Sequence, residues 1–131
     1  MEKMKVEHIA VGSNSEEDSD KFFMEFLGLK RIRTKLIPAD LVKQFFGVQR
    51  ENKFVLYGNE ELLIEVFITN DNSKAQDIFT HSCLLIENRD ILVSKGSTMG
   101  YNIVKIPRND GNGYYLFVRD SFHNLYEIKK K

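Results

Sequence analysis

One pattern occurs twice in this chain at nearly the same spacing. In the first copy, residues 5–11 form a short β-branched run that reads as a strand ending at Gly12, and a helix follows. Ser15, Glu16, Glu17 and Asp18 have the Ser-x-x-acid form of a capping box, with acids where the helix dipole favours them, and Gly28 supplies the stop. Phe22, Phe23, Phe26 and Leu27 recur at helical spacing and read as core. In the second copy a strand over 81–86 leads to an Asn88 cap, a helix over about 89–97 and a turn at Gly100. Gly28 follows His8 by 20 positions, and Gly100 follows His81 by 19. Each copy then continues into three strands, over 29–36, 53–57 and 62–68 in the first and over 101–106, 113–118 and 124–129 in the second. The first also carries a short helix over 38–46, opened by Pro38 and closed by Gly47. Residues 69–77, polar and rich in turn formers, connect the halves.

This duplication predicts an α+β fold of two βαβββ units, about 4–68 and 80–129, within one domain over 1–131. One helix on one side of each sheet leaves the other face uncovered. That face is expected to curl into a mixed sheet around a cavity, completed by the other half of the chain or by a second copy.

Charge and hydropathy then exclude whole classes of function. Nineteen basic residues cancel nineteen acidic ones, so no global positive field exists to hold nucleic acid or an anionic membrane. The longest apolar run, 62–68, is interrupted by Glu65 and falls far short of the roughly 18 to 20 residues that a membrane span needs. The first residues lack the apolar core of a secretory signal, and a cytoplasmic protein is expected. The single cysteine, Cys83, rules out an internal disulfide and reads as a small buried apolar group.

Four residues stand out chemically. His8 and His81, two of only three histidines, hold equivalent first-strand positions in the two copies. Glu65 and Glu127 each place a carboxylate inside an otherwise apolar last strand, which is unfavourable unless the charge is paired or binds a cation. Two imidazoles and two carboxylates suit a divalent first-row metal, and an octahedral ion would keep two positions open, as a catalytic metal does. Other candidates read as structural. His123 lies in a turn, Gly111 to Gly113 make a hairpin turn with no helix after it, and the Lys129–Lys131 tail is a basic end. Tyr114 and Tyr115 alternate across a strand, so one of them is expected to face the cavity.

The chain resembles the vicinal oxygen chelate superfamily, which includes glyoxalase I, methylmalonyl-CoA epimerase, extradiol dioxygenases and the bleomycin and fosfomycin resistance proteins. The resemblance covers roughly residues 4 to 129. It is carried by Val6-Glu-His8, Phe22-Phe-Met-Glu-Phe-Leu-Gly-Leu29, Leu63-Ile-Glu65, Thr80-His81, Met99-Gly-Tyr101 and Asp120-Ser-Phe-His-Asn-Leu-Tyr-Glu127. It implies a metal site of His8, Glu65, His81 and Glu127, a ligand pattern most similar to glyoxalase I. The metal implied is Ni, Co or Zn, with Fe or Mn as alternatives. The implied activity is a glyoxalase-type lyase or isomerase acting on a 2-oxoaldehyde-thiol adduct through a metal-stabilised enediolate, with Glu127 or Glu65 as the base. A homodimer with sites shared between subunits is implied too. The alternatives are a non-catalytic small-molecule binder and an epimerase or dioxygenase of the same fold. Two departures bear on this. Ser121 and His123 stand where the family usually has proline and glycine, and Gly12 and Thr69 stand where glutathione-using members place a basic residue and an amide. Arg31, Arg33, Lys35, Arg108 and Arg119 are the candidates to compensate.

Overall fold

In a computed structural model, which describes residues 3–131, the chain divides into two compact units, up to Ser73 and from Lys74 onward. The first contains β1 (Ile9–Ser13), β2 (Lys30–Ile37), β3 (Asn52–Gly58) and β4 (Leu63–Ile68), in sheet order β1-β4-β3-β2. The second contains β5 (His81–Ile86), β6 (Asn102–Pro107), β7 (Tyr114–Arg119) and β8 (Leu125–Lys130), in order β5-β8-β7-β6. In each unit the first strand runs parallel to the last, and the other pairings are antiparallel. A parallel neighbour needs a crossover, and the helix after each first strand provides it. The duplicated βαβββ plan is therefore a duplication of topology. The strand expected from residue 5 begins only at Ile9, because β4, its one neighbour, starts at Leu63. The amides just before that point, of Glu61 and Leu62, are already bonded to the Asn59 side chain in the turn.

The first crossover opens as read from its cap. Ser15 Oγ accepts from the Asp18 amide at 3.0 Å and starts α1 (Glu16–Asp20). The chain then winds as a π-helix over Lys21–Phe26 instead of continuing as α-helix, and the Leu27 amide donates five residues back to Phe22. Phe22, Phe23 and Phe26 are all buried there, and Phe23 stacks on Tyr57 of β3 with ring centroids 5.2 Å apart. The buried Tyr57 hydroxyl donates to Asp20 at 2.6 Å and meets Ser19 Oγ at 2.8 Å. Burial, then the Asp20 bond, push the Tyr57 phenol well above its usual range. Arg31 bonds Glu16 at 2.7 Å and Asp20 at 3.0 Å, and Lys53 pairs with Glu16.

The opposite face of the first sheet is not left bare. α2 (Ala39–Phe46), capped by Gly47 at φ +78°, sets Val42 against Ile37, Phe54 and Leu56. Phe54 and Leu56 alternate along β3 with Val55 and Tyr57, so that strand is apolar and buried on both faces. In the second unit α3 (Arg89–Met99), capped by Asn88, buries Leu92 and Gly96. The other sheet face there exposes Leu85, Val104, Ile106 and Tyr115. Cys83 is also exposed, contrary to its expected burial, because the alternation of β5 gives the covered position to Leu84.

The turn before β8 is built around Asp120. Its buried carboxylate accepts from the amides of Phe122 and Asn124 at 3.0 Å, from Asn124 Nδ2 at 2.8 Å and from the Tyr126 hydroxyl at 3.0 Å. Burial raises the Asp120 pKa against these bonds, which lower it. His123 adopts φ +66°, a left-handed conformation natural to glycine, so the turn keeps a glycine-like shape without the residue.

Two outcomes follow from this packing. Replacing His123 with Gly should raise stability by about 0.5 to 1 kcal/mol in urea unfolding, because it removes left-handed strain at an exposed site. Glu16 is held below its ordinary pKa of 4.5 by its hydrogen bonds to Lys53 and then Arg31, so its stabilisation is present above that pH and is lost as the pH falls through the lowered value. Glu16→Gln should therefore cost less than about 1 kcal/mol at pH 7 and flatten the decline of the urea midpoint as the pH falls below 4.5.

Candidate metal-binding pairs

The parallel pairings set up one His–Glu pair in each unit. In the second, His81 of β5 lies level with Leu125 of β8, and Glu127 stands two residues further along, on the same face. In the first, Ile9 lies level with Ile64, so stepping back one residue sets His8 beside Leu63, again two short of its glutamate. The side chains meet in both cases. His8 Nε2 is 3.4 Å from Glu65 Oε1, and His81 Nε2 is 3.5 Å from Glu127 Oε1. The two carboxylates are 21% and 18% exposed, and each faces away from the crossover helix of its unit: Glu65 on the side of its sheet that α2 covers in part, Glu127 on the side left uncovered.

The other ring nitrogens fix the proton positions. His81 Nδ1 lies 2.9 Å from the Phe79 carbonyl, which can only accept, so Nδ1 carries the hydrogen. His8 Nδ1 lies 2.6 Å from a Glu7 carboxylate oxygen and donates in the same way. In the neutral ring each Nε2 is then a bare lone pair aimed at a carboxylate, acceptor against acceptor. Two donors bound to one ion at about 2.1 Å stand about 3.0 to 3.4 Å apart for right-angled to tetrahedral geometry. The pairs thus have the spacing and the tautomers of adjacent metal ligands, with a carboxylate or carbonyl orienting each imidazole from behind. Among the described residues, no cluster of three or more His, Cys, Asp or Glu side chains is placed to hold an ion. The structure brings together His8 with Glu65 and His81 with Glu127.

The surroundings differ between the pairs. In the first unit a cavity of about 320 Å³ begins at Ala10, the register partner of Glu65, and runs between β1, β4 and α2. In the second, Phe117 lies level with Glu127 and packs its ring 5.9 Å from that of His81. Tyr115 shares that face, while Tyr114 points to the helix side, bonds Asp90 at 2.9 Å and lies between Arg89 and Lys105.

Several candidate cations are already engaged. Arg31 belongs to the Glu16 and Asp20 cluster, Arg119 donates to the His123 carbonyl at 2.7 Å, and Arg108 lies over Tyr115. Arg33 and Lys35 are exposed. His123 is an exposed turn residue, as its position suggested. Sequence reasoning missed Glu7, since neighbours in a strand point apart; here both precede β1, and the acid reaches the ring. It also missed Arg50, which lines the cavity from the loop after α2.

No family model matches the sequence, and no curated protein does. Solved structures match over almost the whole chain. A glyoxalase family protein from Enterococcus faecalis gives a TM-score of 0.72 at 15% identity, covering 95% of each chain. The fosfomycin resistance protein FosX from Listeria monocytogenes, complexed with Mn(II) and sulfate ion, gives 0.70 at 13% identity, covering 99% of this chain and 94% of that one. FosX from Mesorhizobium loti gives 0.70 at 9% identity, with the same coverage. No helix among the described residues is long and apolar enough to cross a membrane. Two βαβββ units of this topology, matched end to end by glyoxalase-family and FosX structures, give the chain the vicinal oxygen chelate fold.

Proposed function

We propose that the protein is a metal-dependent enzyme of glyoxalase type, a lyase or isomerase acting on a small molecule with adjacent oxygens. The observation that carries this reading is the face-to-face placement of two acceptors, 3.4 Å apart in one unit and 3.5 Å in the other, with each Nδ1 proton already committed elsewhere. With the imidazole neutral, two lone pairs oppose one another there, and a bound cation would turn that contact into a favourable one. His8, Glu65, His81 and Glu127 would be the ligands, with a net charge of −2 to match a divalent ion. A related structure complexed with Mn(II) supports a divalent metal; Ni, Co and Zn are the ions expected for isomerisation.

Each unit supplies two of the four ligands. We assign the missing two to a second copy of the chain, which makes the active form a homodimer with shared sites. A divalent cation held by these residues would supply Lewis-acid stabilisation of negative charge developing on the substrate. The protein supplies the proton transfers. Glu127 or Glu65 is the base that takes a proton from the carbon beside the substrate's oxygens and returns it to the neighbouring carbon. Tyr115 and Phe117 would wall the substrate on the Glu127 side.

Two experiments test this. Metal analysis of the purified protein should find one divalent ion per four-ligand site, and turnover of methylglyoxal-thiol adducts should stop with chelator. Glu65→Gln and Glu127→Gln should each lower turnover by about a hundredfold or more. Normal rates in both variants would refute the mechanism, and a protein that takes up no metal would instead be a non-catalytic binder. Mixing is the second test. A His8→Ala, Glu65→Gln double variant and a His81→Ala, Glu127→Gln double variant, each inactive, should recover about a quarter of wild-type activity after co-refolding, since half of the chains form heterodimers with one intact site. No recovery would place all four ligands within one chain.

A further inference from the structure

We infer that the cavity between α2 and the β1/β4 face holds an apolar arm of the substrate that ends in a carboxylate, and that Arg50 is the residue that selects it. The inference rests on the metal reading for the position of the reacting end and names the substrate class for that same site. Residues 8, 10 and 12 share one face of the chain, as do 65, 67 and 69 across the parallel ladder. The cavity is lined by Ala10, Gly12, Phe67 and Thr69 from these rows. A group that leaves the His8–Glu65 pair and follows the strands therefore enters it directly. Ala10 and Gly12 leave the floor open, and Val42, Phe46 and Val48 form the opposite wall.

The chemistry of the lining selects among ligands. About 320 Å³ admits about ten groups at roughly 30 Å³ per water-sized unit. Most of the lining is aliphatic or aromatic, so a tripeptide thiol with two carboxylates and an ammonium would leave charges there without partners. Among the described residues, Arg50 is the only ionisable one in the lining. Its guanidinium is half-exposed, and Nη1 stands 3.7 Å from Asp71, too far for a hydrogen bond. A planar fork of donors held beside a carboxylate but not closed on it suits a bidentate carboxylate ligand. The same features account for Gly12 and Thr69, which offer no charged anchor for glutathione: the anchor lies further along, on the loop after α2.

The test is calorimetric titration of EDTA-treated protein with octanoate and 4-phenylbutyrate, against 1-octanol, octylamine and reduced glutathione. The two acids should bind at least tenfold more tightly than the other three. Arg50→Ala should remove that preference while leaving octanol binding unchanged, and Arg50→Lys should restore part of it. Ala10→Phe, which fills the cavity from an exposed strand position, should abolish binding of both acids and alcohol, with circular dichroism confirming the fold. Glutathione binding as tight as that of the acids, or acid binding indifferent to Arg50 and Ala10, would overturn the assignment. Because the protein is metal-free in this experiment, acid binding by a protein that never takes up metal would defeat the catalytic reading alone. Metal uptake without acid binding would defeat this one alone.

Discussion

Each histidine meets its glutamate because the first strand of its unit lies parallel to the last. Parallel pairing fixes the relative height of residues that are 57 positions apart in the first unit and 46 in the second, and the two-residue alternation then turns them to one face. Had either strand slipped by one residue, imidazole and carboxylate would face opposite ways. The same two-residue offset occurs in both units. The pairs are therefore a property of the repeated topology and not of local sequence around either histidine.

The scaffold holds that register by different means in the two halves. In the first, Phe23 pins the crossover to β3 through Tyr57, with Phe22 packed between Phe23 and Phe26, and the Tyr57, Asp20 and Ser19 hydroxyl–carboxylate cluster locks it laterally. In the second, Asp120 gathers four donors at the mouth of β8, and the Tyr126 hydroxyl ties the strand to that turn. Tyr126 points to the covered face, so its neighbour Glu127 is turned to the open one. A buried polar network is costly if any member lacks a partner, which makes these clusters effective at specifying one register. The units differ most in what lies over the open face. An extra helix turns the first into a walled cavity, whereas the second keeps an exposed apolar surface.

Much of this was legible in the residues. The duplication, the caps at Ser15 and Asn88, the stops at Gly28, Gly47 and Gly100 and the succession of elements along each βαβββ unit all follow from local patterns. The chemically odd residues were legible as well: a carboxylate in an apolar strand announces that something compensates it. Three features were not. The π-helical winding at Lys21–Phe26 depends on packing three phenylalanines at once. The covering role of α2 depends on which side of the sheet a short amphipathic helix falls. Exposed Cys83 depends on strand phase, which one small residue does not reveal.

The amino-acid sequence by itself determined the two βαβββ units and the identity of the four ligand candidates, because periodicity, capping and the cost of a charge among apolar residues are local effects. Only the tertiary structure decided that His8 faces Glu65 and His81 faces Glu127, that Glu7 and the Phe79 carbonyl take the Nδ1 protons, and that Arg50 reaches the cavity. Those relations depend on register and on the path of a loop across a sheet, and contacts between residues distant in the chain set both.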